Sequence, residues 1–305
     1  VNTPDDLQGR CAIVTGAGKG LGRAYALHLA ARGARVLVNN RRHPGEDDDQ
    51  TSAAQTVAAI RAAGGTAVAN WSDVTDPASG SAMVTQAHDQ LGGLHIVVAN
   101  AGVDNPTAFH KQSMADFRAI FDTSFFGNLH LAHAAWPHLL EQGHGRMVLT
   151  ASSAGLHANH GQSAYSAAKS AVIGLVRALA IEGRKRQVRV NVIAPYGYSQ
   201  MTAPYMPAEM GRQFDPALVA PLVGWLCSES CDITGEVLVS GAGLVRRAGV
   251  GESDASVLSN GTVADVVHGL QSNALHHYGS ANDSFARFLQ ELARTPPSLP
   301  TPTSA

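Results

Sequence analysis

Cysteine is scarce. Three residues, Cys11, Cys227 and Cys231, in a chain of 305 exclude a disulfide framework, and the setting of Cys11 in an apolar run makes it a packing residue. Cys227 and Cys231 stand four apart on a predicted helix, but no second pair of ligands lies nearby. His130 with His133, and His157 with His160, lack a matching carboxylate set, so no metal site is expected. A dominant charge is missing too. With 22 Lys+Arg against 24 Asp+Glu and a formal net charge of -2, there is no basic field to hold nucleic acid or an anionic lipid surface. No uninterrupted apolar run approaches the ~20 residues of a membrane span. The start VNTPDDLQGR has neither the basic nor the apolar part of a signal peptide. The expectations are therefore no nucleic acid, no membrane and a cytoplasmic location. Composition shows no break along the chain, and 45% hydrophobic residues suffice for a sizeable core.

What is present begins with Ser152, thirteen positions before Tyr165, and Lys169 four positions after it. Four positions are one helical turn, so Tyr165 and Lys169 share a face if SAYSAAKSAVIGLVRALAIE is a helix. An adjacent ammonium favours the phenolate and is expected to lower the tyrosine pKa toward neutrality, while Ser152, after the apolar run Met147 to Thr150, polarises a substrate oxygen. Such a group interconverts a carbonyl and an alcohol. It needs a hydride donor, and TGAGKGLG, Thr15 to Gly22, stands between an apolar run and a helical pattern where a dinucleotide would bind. Gly16 permits a tight turn, Gly20 admits a pyrophosphate and Gly22 lets helix and strand pack closely, with Gly18, Lys19 and Leu21 between them. The absence of a GK[ST] ending disfavours a nucleotide triphosphatase.

The run RVLVN ends in Asn40, Arg41 and Arg42, where an acid would hold the ribose 2′-hydroxyl of NAD. Arginine there, with Lys19, suits a 2′-phosphate, so NADP is favoured over NAD. Asp73 and Val74 follow a third strand predicted over Thr66 to Asn70, and a carboxylate there can accept from adenine. Asn100, Ala101 and Gly102 follow a fourth, Leu94 to Ala99, and are small enough for a flat cofactor to lie against. Strands also fit Val188 to Ala194 and Glu236 to Ser240, with Pro195 and Gly197 breaking the chain beside the nicotinamide pocket and Thr202 just beyond. The fold class is α/β: a Rossmann-type, doubly wound, seven-stranded parallel sheet with helices on both faces and a C-terminal extension. The expected boundaries are 1–245 for the dinucleotide-binding catalytic domain, 246–294 for an extension that covers a pocket or a subunit contact, and 295–305 for a disordered tail.

With these residues assembled, the chain resembles the short-chain dehydrogenase/reductase family from about Leu7 to Gly243. The resemblance rests on TGxxxGxG, Asp73-Val74, Asn100-Ala101-Gly102, Ser152, and Tyr165-x-x-x-Lys169. GRAYAL, AAWPHL, GQSAYSAAKSA and LAIEGRK are similar to a (3R)-hydroxyacyl-CoA dehydrogenase branch of that family. The resemblance implies that Ser152 holds the substrate oxygen, that Tyr165 moves its proton, and that Lys169 holds the nicotinamide ribose. The family's fourth catalytic residue, an Asn, falls on Ser124 here, so a proton relay would pass through water or Asn128. Leu156, Gln162, Tyr198 and Met201, with Ser152, are candidate substrate contacts from their places beside the catalytic residues. The expected substrate is a small molecule or acyl-CoA, a 3-hydroxyacyl-CoA or a hydroxysteroid. The alternatives are a 3-oxoacyl-thioester or other ketone reductase and, in another class, a non-catalytic NADP-binding sensor or regulatory subunit. Apolar stripes on the helices of Phe117 to Leu140 and of Val172 to Leu179 imply a homodimer or homotetramer.

Overall fold

The computed structural model describes residues 6–204, 206–257 and 262–294; the expected disordered tail, 295–305, lies outside them. Short aliphatic runs form the strands β1 (Cys11–Val14), β2 (Arg35–Asn39), β3 (Thr66–Asn70) and β4 (Ile96–Ala99). They continue in β5 (Gly145–Thr150), β6 (Val188–Pro195), β7 (Val237–Gly241) and β8 (Leu244–Ala248). Helices α1 (Gly20–Ala31), α2 (Ser52–Ala62), α3 (Ser79–Leu91), α4 (Met114–Phe121) and α5 (Gly127–Glu141) connect the first five strands. After β5 come α6 (Ser153–His157) and α7 (Ser163–Gly183), and α8 (Ala220–Leu226) precedes β7.

The sheet order is β3-β2-β1-β4-β5-β6-β7-β8. β1, β4 and β5 are buried at every residue, as strands covered on both faces must be. One core layer joins α1, α2 and α8 to the sheet through Tyr25, Leu29, Ile60 and Leu226; the other joins α3, α5 and α7 through Met83, Leu131 and Val176. The order reverses between β1 and β4, a topological switch point, so a crevice opens outside their carboxyl ends. Every motif singled out in the sequence leads to this edge.

The sheet has one strand more than expected. β8 turns back antiparallel on β7 through Ala242 and Gly243, at φ 51 and 75. Its residues LVRRA are exposed except for Ala248, so they carry no burial pattern by which to recognise a strand. The chain divides into two compact units between Ala248 and Gly249, three residues beyond the expected boundary, because β8 pairs along its whole length with β7. α7 is long and apolar enough to cross a membrane by length and composition, although small and polar residues interrupt its apolar runs. Half of its apolar window is buried within the fold, where it packs on β6, α6 and α4.

The second unit contains α9 (Val263–Leu270) and α10 (Ala281–Arg294). Thr262 and Asp265 cap α9 reciprocally. α10 starts at Ala281, where the Ser280 hydroxyl accepts from the Asp283 N–H at 3.2 Å. Arg287 binds both Asp254 and Glu291, and Ser284 donates to Glu252.

Candidate active site

The residues after β1 fold over its carboxyl end. Thr15 Oγ1 accepts from the N–H groups of Asn100 (2.9 Å) and Ala101 (3.1 Å), and the Asn100 amide donates to the Thr15 carbonyl (3.1 Å). The ends of β1 and β4 are thereby clamped together. Gly16 and Gly20 take left-handed backbone, with φ 62 and 52, which a side chain disfavours. A methyl on Gly18 would strike Ser52 and Asn40, and one on Gly22 would strike the Gly16 carbonyl and Asn100. α1 begins here with an extended Lys19 that makes no side-chain cap bond, and its first turn holds no acid. Its leading amides are free for an anion, so the cradle fits a pyrophosphate.

Beyond β2, Asn40 Nδ2 donates to Ser52 Oγ at 3.0 Å. Arg41 lies 3.7 Å from Asp73, with 60% of its side chain exposed. Arg42 pairs with Asp48 and lies 5.0 Å over the Trp71 ring. Asp73, expected to accept from adenine, accepts on Oδ1 from the Thr75 N–H and hydroxyl, both at 2.9 Å; its other oxygen is loosely held by Arg41. Val74 is buried against Gly127. On the opposite wall Pro195 ends β6. Thr202 Oγ1 donates to the Gly197 carbonyl (2.7 Å) and accepts from the Ser199 N–H (2.8 Å). A Cβ on Gly197 would lie 2.9 Å from Leu21, so this loop reaches across to the start of α1.

Ser152 leaves the end of β5 as the N-cap of α6, its hydroxyl accepting from the Ala154 N–H at 3.1 Å. The same hydroxyl lies near enough to the Tyr165 phenol on α7 to pull its pKa down. α6 meets α7 at Gly155, where an added Cβ would lie 2.7 Å from the Lys169 carbonyl carbon and 2.9 Å from the Ser170 nitrogen. Backbone cannot give way as a flexible side chain can, so this crossing fixes the separation of Ser152 from Tyr165. Gly155→Ala is expected to cost about 1–3 kcal/mol of stability and to lower kcat at least about tenfold through misplacement. Wild-type melting temperature and kcat in the variant would refute that role.

Lys169 is fully buried, and its Nζ donates to the Thr150 carbonyl at 2.7 Å. It stands 5.7 Å from the centroid of the Tyr165 ring. Burial brings Lys169 down to about 8. Tyr165 is pushed up to about 12, by burial first, with the Ser152 hydroxyl pulling it down and Asp104 pushing it further up. The expected lowering of the phenol by Lys169 is thus reversed. The ammonium is aimed at the end of β5 and lies over the ring, and desolvation, invisible in residue spacing, outweighs it.

Ser124 lies in a π-turn, Asp122–Phe126, between α4 and α5. Its hydroxyl donates to the Val103 carbonyl (2.9 Å) and accepts from the Val103 N–H (3.0 Å). A Cβ on Gly102 would lie 3.3 Å from Lys169 Nζ and 3.5 Å from Ser124 Oγ, so these groups flank Gly102. Asn128, fully buried, donates to the Ser124 carbonyl at 2.8 Å. The amide points at the π-turn and makes no hydrogen bond to Lys169.

The candidate substrate residues scatter more widely. Gln162 stands immediately before α7, and Tyr198 packs on Gly211. Met201 is exposed, whereas Leu156 packs against the core layer beneath α7. Sequence reasoning missed Thr150, whose carbonyl receives Lys169, and Ser52, which closes the cradle. It also missed Asp104, hydrogen-bonded to Gln162. None of the three carries a motif; only folding brings them to the crevice.

The profile of the family described as short chain dehydrogenase matches residues 10–209, about two thirds of the chain and all of the elements just described up to the loop after β6. The chain belongs to the short-chain dehydrogenase/reductase family. It is an oxidoreductase of the kind that acts on CH–OH groups with NAD(P). It is 42% identical over 247 residues to the peroxisomal multifunctional enzyme type 2 of Mus musculus, covering 80% of this chain and 33% of that protein. This chain therefore spans about a third of that relative's length. It is 35% identical over 189 residues to the (2S)-[(R)-hydroxy(phenyl)methyl]succinyl-CoA dehydrogenase subunit BbsD of Thauera aromatica, covering 62% of this chain and 73% of that one. Among solved structures, a 7α-hydroxysteroid dehydrogenase complexed with NADH and 7-oxo glycochenodeoxycholic acid superposes with a TM-score of 0.70 at 30% identity. That likeness covers 78% of this chain and 96% of that one.

Proposed function

We propose that this protein interconverts a 3-hydroxyacyl thioester and its 3-oxo form, with Ser152, Tyr165 and Lys169 as catalytic residues and NADP as the preferred cofactor. The observation that carries the reading is the convergence of the Ser152 hydroxyl on the Tyr165 phenol, with Lys169 buried beneath that ring. Ser152 donates a hydrogen bond to the substrate oxygen and fixes its distance from Tyr165. Tyr165 then takes the hydroxyl proton in oxidation or returns it in reduction. Lys169 supplies a buried positive charge beneath the Tyr165 ring that favours the phenolate without offsetting the cost of burial, and it would hold the cofactor's ribose. The bound nicotinamide supplies hydride transfer. Ser124 positions the Val103 backbone through two hydrogen bonds and so keeps Gly102 against Lys169.

The thioester is favoured by the similarity to a succinyl-CoA dehydrogenase subunit named for a hydroxylated substrate. A hydroxysteroid is the second reading, favoured by the likeness to a steroid dehydrogenase holding a bile-acid ketone. A panel of hydroxyacyl-CoAs and hydroxysteroids with both cofactors decides between them. Absence of turnover with every member would remove the proposal.

NADP preference rests on a strand end without a carboxylate: Asn40 is neutral and tied to Ser52, and Arg41 is held only loosely by Asp73. A guanidinium grips a 2′-phosphate with charge-assisted, paired hydrogen bonds. Arg41→Ala is expected to raise KM for NADP about tenfold or more while leaving KM for NAD within about twofold. A tenfold preference of the wild-type protein for NAD in kcat/KM would overturn the assignment.

A further inference from the structure

Asp104 follows the Asn100-Ala101-Gly102 turn and is half-buried. Gln162 Nε2 donates to its Oδ2, and Gln162 Oε1 in turn accepts from Asn159 Nδ2 at 2.9 Å. A second tie, from the Thr107 N–H to the Gly161 carbonyl at 2.8 Å, docks the loop after β4 on the loop before α7. Gln162 stands three residues before Tyr165, just under one helical turn. The carboxylate is therefore held rigidly beside the phenol, close enough that its charge is felt there. Its other oxygen, Oδ1, is shielded from solvent and has no hydrogen-bond partner among the described residues, although the neighbouring Asn105 N–H helps to hold the carboxyl's pKa down against its burial. A shielded carboxylate oxygen left unpaired is costly and calls for a donor. The surrounding bonds fix Oδ2 and leave Oδ1 for a group arriving from outside the chain.

We propose that Asp104 is a specificity-determining residue of the substrate site: its unpaired Oδ1 accepts a hydrogen bond from an O–H or N–H group carried near the substrate's reacting carbon, and its charge rejects substrates bearing a carboxylate there. The inference rests on the oxidoreductase reading and narrows its substrates to those neutral beside the reacting carbon and bearing such a donor, which for a 3-hydroxyacyl thioester means a hydroxyl or N–H other than the reacting one. A site built to pair a polar group discriminates strongly, because the wrong substrate leaves that group unpaired.

The test uses the ketone formed by oxidising the most active alcohol of the panel, together with acetoacetate and its methyl ester, on the full chain. Asp104→Asn keeps an acceptor for Gln162 but removes the charge; Asp104→Leu removes both. KM for the ketone is expected to rise from wild type to Asn to Leu, by about tenfold or more in the last, with kcat within about threefold. The kcat/KM for acetoacetate relative to its methyl ester is expected to rise at least about tenfold in Asp104→Asn. Unchanged KM and an unchanged acid-to-ester ratio in that variant would overturn the proposal, as would a loss of kcat alone in both variants, which marks a purely structural clamp. If the wild-type protein turns over no ketone, or Tyr165→Phe is as active as wild type, the oxidoreductase reading fails. If only the Asp104 variants behave as wild type, this inference alone fails.

Discussion

Replacing Tyr165 by phenylalanine is expected to lower kcat at least about 10³-fold with any ketone or alcohol substrate, while the Kd for the dinucleotide changes less than about threefold. The ring remains and fills the same space between Ser152 and Lys169, so the fold loses little. What disappears is, among the described residues, the hydroxyl near that of Ser152 that can carry a proton to or from the reacting oxygen. The magnitude follows from general acid and base catalysis, which alone contributes about 10²–10⁴, with further loss from the disordered substrate oxygen. The pH dependence has a definite sign. With the phenol pushed up to about 12 and Ser152 opposing that rise, the phenolate form is scarce at neutral pH, so oxidation, which needs it as the base, accelerates as pH rises. Reduction needs the protonated phenol and stays level across the same range. A pH-independent oxidation rate, or a phenylalanine variant within tenfold of wild type, would reject the assignment of proton transfer to Tyr165.

The parts of this site that were legible in the sequence are those whose spacing is itself geometry. Tyr165 and Lys169 are one turn apart on any helix, and the glycines of Thr15 to Gly22 are needed wherever a strand turns into a helix against a phosphate. Parallel strands with buried apolar runs were legible for the same reason. The polarity of the environment was not. Whether Lys169 lowers the Tyr165 pKa depends on where Nζ points and on how much water remains, and both come from the packing of α6 on α7 at Gly155. Asp104 carries no motif, and its meeting with Gln162 joins two loops 58 residues apart. β8 escaped notice because its side chains are exposed; only the left-handed Ala242 and Gly243 return it to the sheet. The pairing of Ser124 with Val103 follows from a π-turn that no propensity scale foresees, and it explains how a serine can hold this backbone without an amide.

Lys169→Met is expected to abolish turnover and yet to make the fold more stable at neutral pH. The wild-type lysine is buried, and its pKa falls from 10.5 to about 8 by desolvation alone. At ~1.4 kcal/mol per unit this depression corresponds to a cost of roughly 3 kcal/mol for keeping the ammonium charged inside the fold. Loss of its hydrogen bond to the Thr150 carbonyl returns about 1 kcal/mol of that. The net expectation is a variant more stable by about 2 kcal/mol, since methionine is unbranched, apolar and flexible enough to fill the channel. The linkage sign distinguishes this from a generic packing gain. Below about pH 8 the lysine is charged in both folded and unfolded chains, and the full cost is present. Between about 8 and 10.5 the unfolded chain binds the proton that the folded chain releases, so wild-type stability rises with pH and its deficit against the variant shrinks. Denaturant unfolding of both proteins at pH 7 and pH 9.5 measures it. A gap that widens with pH, or a variant less stable at pH 7, would show that Lys169 is not a buried charge maintained at the expense of the fold. A stable but inactive variant would be the signature of a residue kept for chemistry alone.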